Sequence, residues 1–134
     1  MTDCLTFNPI PYLMLRWSDD NTGGVNCWGV VREFYKREFG FELPKYAISA
    51  GNARAVMRES ENATELANWE RVTDWRFGDV AQLTQSSKPQ HYAVSVGGGL
   101  WLHAQPGFSP VMATVQQLQD AGYRILTVWR RKSG

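Results

Sequence analysis

The chain has 134 residues, 43% of them hydrophobic and 13% aromatic, which is enough for one hydrophobic core and too little for two ordinary domains. Its formal net charge of +1 lacks the basic excess of a polyanion binder, and Arg130-Arg131-Lys132 reads as a short solvated tail, so nucleic acid is not an expected partner. Cys4 and Cys27 make no disulfide framework, and neither a leader with a cleavage site nor an apolar run of bilayer-spanning length is read, so no membrane insertion is expected.

In chain order, residues 1 to about 24 look irregular. Asn8-Pro9-Ile10-Pro11-Tyr12 is a proline-punctuated approach, and Asp19-Asp20-Asn21-Thr22-Gly23-Gly24 is a loop that delivers the chain to Cys27. From Cys27 to about Glu38 the spacing predicts a helix: Cys27, Val31, Phe34 and Tyr35 share one stripe, while Arg32, Glu33, Lys36 and Arg37 fall largely off it. Asn26 is a good N-cap and Gly40 a good terminator. The thiol therefore sits in the first turn, where unpaired N–H groups and the macrodipole favour a thiolate. With a histidinium near, such a site can lower a thiol pKa from about 8.5 to about 3.5–7.5. The same N–H groups could stabilise an oxyanion.

After Phe41-Glu42-Leu43-Pro44 closes this unit, residues from about 49 to 69 read as two short helical pieces parted near Glu61-Asn62. Gly78-Asp79-Val80 is a turn that launches a strand, with Asp79 most simply a turn residue. A helix near Thr114 to Asp120 follows, and Gly122 starts a final strand from Tyr123 to Arg130.

Between these lies the most informative segment. Tyr92, Val94, Val96, Leu100 and Leu102 form one alternating apolar set around Gly97-Gly98-Gly99, and His91, Ala93, Ser95, Trp101 and His103 form the other face of the same hairpin. With a three-residue glycine loop, His103 lies opposite Ala93 and diagonally beside His91, roughly 7–8 Å away between backbones. A two-residue turn would shift the parity and part the two rings. Cys27, His91 and His103 are thus the parts of a thiol nucleophile with a base and an orienting group.

Each part has a plain structural explanation. A lone cysteine on an apolar stripe is usually a small buried hydrophobe, and each histidine alone is an ordinary polar residue of a strand. Zinc on Cys4, Cys27, His91 and His103 is the other combined reading. It is disfavoured because no C-x-x-C or H-x-x-x-H pair is present, and no metal or cofactor is expected. A nucleophile-bearing N-terminal helix packed on an antiparallel sheet makes an α+β domain, read as a single unit over residues 1–134.

Asn26-Cys27-Trp28-Gly29, Phe39-Gly40-Phe41-Glu42-Leu43-Pro44, Gly78-Asp79-Val80, His91-Tyr92-Ala93-Val94 and Leu102-His103-Ala104 together resemble the NlpC-type cell-wall cysteine peptidases over roughly residues 20 to 130. The resemblance implies a compact papain-like fold, with Cys27 as nucleophile, His91 as general base and His103 orienting it. It also implies peptidoglycan stem peptides as substrate, cut between D-glutamate and the diamino acid. The Cys-Trp-Gly variant and the ending Ala121-Gly122-Tyr123-Arg124-Ile125 are similar to the bacteriophage tail-assembly branch. That implies synthesis in a host cytoplasm, tail-tip or hub proteins as partners, and action at the cell wall. Relatives commonly carry Asp where Asn26 stands, and many supply a tyrosine near the oxyanion from upstream of the cysteine. Here Tyr12 lies far back and Trp17 is nearer. Trp17, Trp28, Ser95, Trp101 and Gln105 are the candidates for the oxyanion site or cleft lining. A catalytically silent tail component and a thiol-dependent amidase or acyltransferase are the alternative readings.

Overall fold

A computed structural model describes residues 7–43, 68–86 and 88–132. Most of the segment read as two helical pieces, and Cys4 with it, lies outside the described residues. Trp69, at that segment's end, belongs instead to a strand, β1 (Trp69–Arg71).

The amino-terminal stretch is less irregular than its prolines suggest. Residues Ile10–Leu13 form a single turn, α1, in which proline is tolerated because a first-turn N–H has no helical partner anyway. The cysteine helix, α2 (Cys27–Phe39), begins and ends as its caps require. The Asn26 side chain accepts from Gly29 N–H at 2.8 Å, and Gly40 takes a left-handed conformation with φ 66°. Its first turn is buried all round, from Cys27 to Val31, and the stripe continues through Phe34 and Tyr35.

Five further strands, β2 (Val80–Ser86), β3 (Lys88–Gly97), β4 (Leu100–His103), β5 (Val111–Thr114) and β6 (Arg124–Arg131), join β1 in one sheet of order β1-β6-β2-β3-β4-β5. Every paired neighbour is antiparallel. A short helix, α3 (Val115–Asp120), links β5 to β6, and Thr114 and Gln117 close a reciprocal capping box at its start. Strand β5 was not legible beforehand, because its four residues pair only at the sheet edge and carry no alternation of their own.

The two faces of the β3–β4 hairpin are those the alternation predicts. Tyr92, Val94, Val96 and Leu102 pack with α2, whereas Ala93 and Trp101 join Ala81, Leu83, Leu118 and Val128 in a second core. Both faces are covered, so the histidine face is interior too. The loop differs from expectation. Gly97 pairs with Leu100, leaving a two-residue turn at Gly98-Gly99 whose φ values, 63° and 79°, suit the tight turns that match strand twist. That turn alone would flip the parity. A register shift between Ser95 and Gly97 makes Val96 an extra residue and restores it, so Val94 faces Leu102 and Ser95 faces Trp101.

Two residues of the carboxy-terminal basic cluster, Arg130 and Arg131, belong to the sheet and not to a solvated tail, whereas Lys132 is exposed. Arg130 grips the buried carboxylate of Asp79 through Nε–Oδ1 at 3.0 Å and Nη2–Oδ2 at 2.9 Å, and Arg131 lies over the Phe41 ring at 4.5 Å. Both belong to β6, an inner strand of the sheet, and both are partly buried. Asp79 is a turn residue as expected, accepting from Arg76 N–H at 2.8 Å, and it also ties that turn to β6.

Candidate active site

The histidines converge. His91 Nε2 lies 2.9 Å from His103 Nδ1, both side chains are buried, and their rings meet edge to face. A second irregularity lies beside His91. Leu83 pairs with His91 but Thr84 pairs with Pro89, so Gln90 is an extra residue that bends β3 immediately before the histidine.

The thiol reaches the same place from the opposite layer. Helix α2 crosses β3 with the Trp28 ring 5.2 Å from that of Tyr92, and backbone N–H groups of Tyr92, Trp28 and Cys27 are directed at the Cys27 sulfur. Sulfur thus sits against the residue next to His91. Because His91 Nε2 is engaged by His103, Nδ1 is the nitrogen left to act as a base. This requires Nε2 to carry the proton and His103 Nδ1 to accept it.

The electrostatics overturn one expectation. The Cys27 thiol is not acidified: burial pushes it up to about 11, against the opposing pull of the three N–H groups. Desolvation of the charged form outweighs the helix terminus because the residue retains only 2% exposure. Burial also lowers both imidazoles. His91 falls to about 3, helped by the neighbouring His103, and His103 falls to about 4. The resting site is therefore a neutral thiol beside two neutral rings.

This has a consequence for stability. The unfolded chain binds protons on both histidines near pH 6.5, whereas the folded protein resists them to about pH 3 and about pH 4. Their contribution is complete above about pH 6.5 and is lost as the pH falls, by about 2 kcal/mol per imidazole at pH 5. Urea midpoints measured at pH 7.5 and pH 5 should fall accordingly, and His103→Gln should flatten the slope. A midpoint unchanged between those pH values would contradict burial of neutral rings.

The loop before the helix is held as tightly as the site. Asn21 adopts φ 64° and its Oδ1 accepts from Asn26 N–H at 2.7 Å. A Cβ on Gly29 would stand 1.9 Å from that oxygen. Gly29→Ala should therefore displace Asn21, loosen the cap before Cys27, and cost about 1–3 kcal/mol in denaturant unfolding. A stability within experimental error of the parent would show that the loop yields freely.

The remaining candidates divide. Trp28 and Trp101 are buried core residues, the first against Tyr92 and the second edge-on to Trp75 at 5.5 Å. Their size made them look like cleft walls, but aromatic area is also the strongest filler of a core. Ser95 is buried, with its hydroxyl taken by Gly97 N–H at 3.3 Å. Gln105 is partly exposed in the turn after β4, where its carbonyl accepts from Phe108 N–H. Trp17 is half-buried beside Val25, but its indole N–H donates to Asp19 at 2.8 Å and is not offered to an oxyanion. Tyr12 donates its hydroxyl to Glu38, at the end of α2 remote from Cys27, about 16 Å along the axis. The backbone N–H groups of Cys27 and Trp28 at the start of α2 act on the Cys27 sulfur. Among the described residues no three His, Cys, Asp or Glu side chains are placed to hold a metal ion.

One participant was missed. The Tyr123 ring stacks on His91 with centroids 4.7 Å apart and planes 20° from parallel. The same tyrosine borders a groove of about 520 Å³ shared by Trp75, Val115, Leu118 and Val128. Only the glycine preceding it hinted at a special position.

The helix and the antiparallel sheet define a compact papain-like α+β domain. Residues 12–130 match the NlpC/P60 family, and the chain belongs to that family. Among solved structures it is similar to the NlpC/p60 domain of the peptidoglycan hydrolase SagA, with a TM-score of 0.57, 20% identity and 89% of each chain covered. No curated protein matches the chain.

Proposed function

We propose that this domain is a cysteine endopeptidase that hydrolyses peptidoglycan stem peptides at the bond between D-glutamate and the diamino acid. The observation that carries the proposal is the 2.9 Å contact between His91 Nε2 and His103 Nδ1 beside a helix-terminal thiol. Membership of the NlpC/P60 family supports the substrate class. His91 Nδ1 takes the thiol proton as sulfur attacks the amide carbon, the N–H groups at the start of α2 receive the oxyanion, and His103 holds the imidazolium through its Nδ1 lone pair. His91 then protonates the leaving amine, and water releases the acyl group from the thioester. Because the resting thiol is neutral, proton transfer accompanies attack and is not completed beforehand.

The Cys-Trp-Gly motif at Cys27-Trp28-Gly29 and the Ala121–Ile125 ending support carriage in a phage or phage-like tail, delivered from a host cytoplasm to the wall. Incubating the purified chain with defined stem peptides and reading the products by mass tests the activity and the bond together. Fragments with end groups from another amide would replace the peptidase by an amidase or acyltransferase, and intact substrate would remove the enzymatic reading.

A second reading, a catalytically silent tail component, is favoured by the 2% exposure of Cys27 and its raised thiol pKa. Iodoacetamide distinguishes the two. A working site has its labelling accelerated by a bound substrate analogue or suppressed by competition, whereas a silent one labels slowly and indifferently to stem peptide.

A further inference from the structure

We propose that Tyr123 is a positioning residue of this site, its ring serving as a platform that fixes the plane of His91 and keeps water from the His91–His103 hydrogen bond. The inference rests on the peptidase reading for its kinetic consequence, but its geometry stands independently.

An imidazole turns about its Cβ–Cγ bond unless something stops it. Here the edge is held at Nε2 by His103, and one face lies on the phenol ring at 4.7 Å. Rotation would break both contacts at once. With the hydrogen bond and the stack both satisfied, Nδ1 has one direction available. Tyr123 also meets the edge of His103 at 6.0 Å, so a single side chain touches both members of the pair.

The backbone that presents Tyr123 is correspondingly well defined. At the end of α3, Gly122 N–H donates to Gln119 at 2.9 Å, and Gly122 turns the chain with φ 91°. Tyr123 N–H then returns to the Leu118 carbonyl at 2.9 Å, and Leu118 is itself buried in the core of the histidine face. The ring is thus aimed by a helix terminus anchored in that core. Among the described residues, the titratable groups in contact with the His91 ring are His103 and Tyr123, with the Cys27 thiol near enough for its charge to act on the phenol. None of these is a carboxylate. Exclusion of water is therefore what keeps the rings uncharged, and removing the platform should readmit it.

The test compares Tyr123→Phe and Tyr123→Leu with the parent by imidazole NMR titration and by kcat/KM against pH on stem peptide. Tyr123→Phe keeps the stack, so its His91 titration should match the parent and its turnover should stay within about twofold. Tyr123→Leu should raise the His91 midpoint by about one pH unit or more, move the acid limb of kcat/KM the same way, and lower kcat about tenfold. An unmoved midpoint in Tyr123→Leu overturns the proposal, and so does equal damage in Tyr123→Phe, which would assign the effect to the hydroxyl. If Tyr123→Leu fails to fold, the unmutated protein still decides, since ring stacking requires upfield-shifted His91 ring protons and their absence refutes it. Failure of the peptidase reading looks different: the parent is inactive while the titration midpoints still respond to Tyr123.

Discussion

Cys27→Ala is expected to lose cleavage of defined stem peptides by about 10⁴-fold or more while keeping the fold. In the proposed mechanism the acyl-enzyme forms on the Cys27 sulfur, and alanine removes it. Structurally the change is slight. Cys27 sits in a fully packed first turn, and alanine keeps the helix propensity and the Asn26 cap while deleting one buried atom, at a cost of about 1 kcal/mol. Product analysis by mass, alongside a urea melt of the same preparation, checks both halves. Turnover by the variant at the parental rate would dismiss the thiol as nucleophile; lost turnover in a protein that has also lost its cooperative transition would leave the nucleophile unassigned.

The second expected result is a ranking. His91→Ala should reduce kcat/KM by about 10³–10⁴-fold, and His103→Ala by about 10–10²-fold. With a thiol pKa near 11, very little thiolate exists at neutral pH, so the base must remove the proton during attack and its loss is felt in full. His103 contributes one neutral acceptor at 2.9 Å, weaker support for a nascent imidazolium than a carboxylate would supply. Its removal leaves the His91 Nε2–H without that partner, and His91 is still held on one face by Tyr123. The reverse ranking in a steady-state assay would exchange the two roles.

Parts of this site were legible from residue spacing because local rules govern them. Asn26, the Cys27–Val31–Phe34–Tyr35 stripe and Gly40 specify a helix and both its ends with contacts no more than a few residues apart. The Thr114–Gln117 capping box is equally local. The hairpin was legible for its faces and not for its turn. Three glycines allowed either loop length, and the correct facing of His91 and His103 survives only because Val96 bulges out of register. Trp17, Trp28 and Trp101 illustrate the opposite case: an indole can wall a cleft or fill a core, and only the neighbours decide. For Trp28 and Trp101 they are Tyr92 and Trp75, and Trp17 spends its N–H on Asp19.

Periodicity and capping chemistry were therefore sufficient to identify the thiol helix, the histidine hairpin and their α+β class, since each depends on interactions between near neighbours in the chain. The protonation of the site was not accessible in that way. A helix terminus argues for thiolate, and the folded protein keeps the thiol neutral because burial is a property of everything packed around the sulfur. The platform beneath His91 belongs to the same category: Tyr123 comes from the far side of β4, β5 and α3, and its stacking follows from how the layers close and not from any pattern along the strand that carries it.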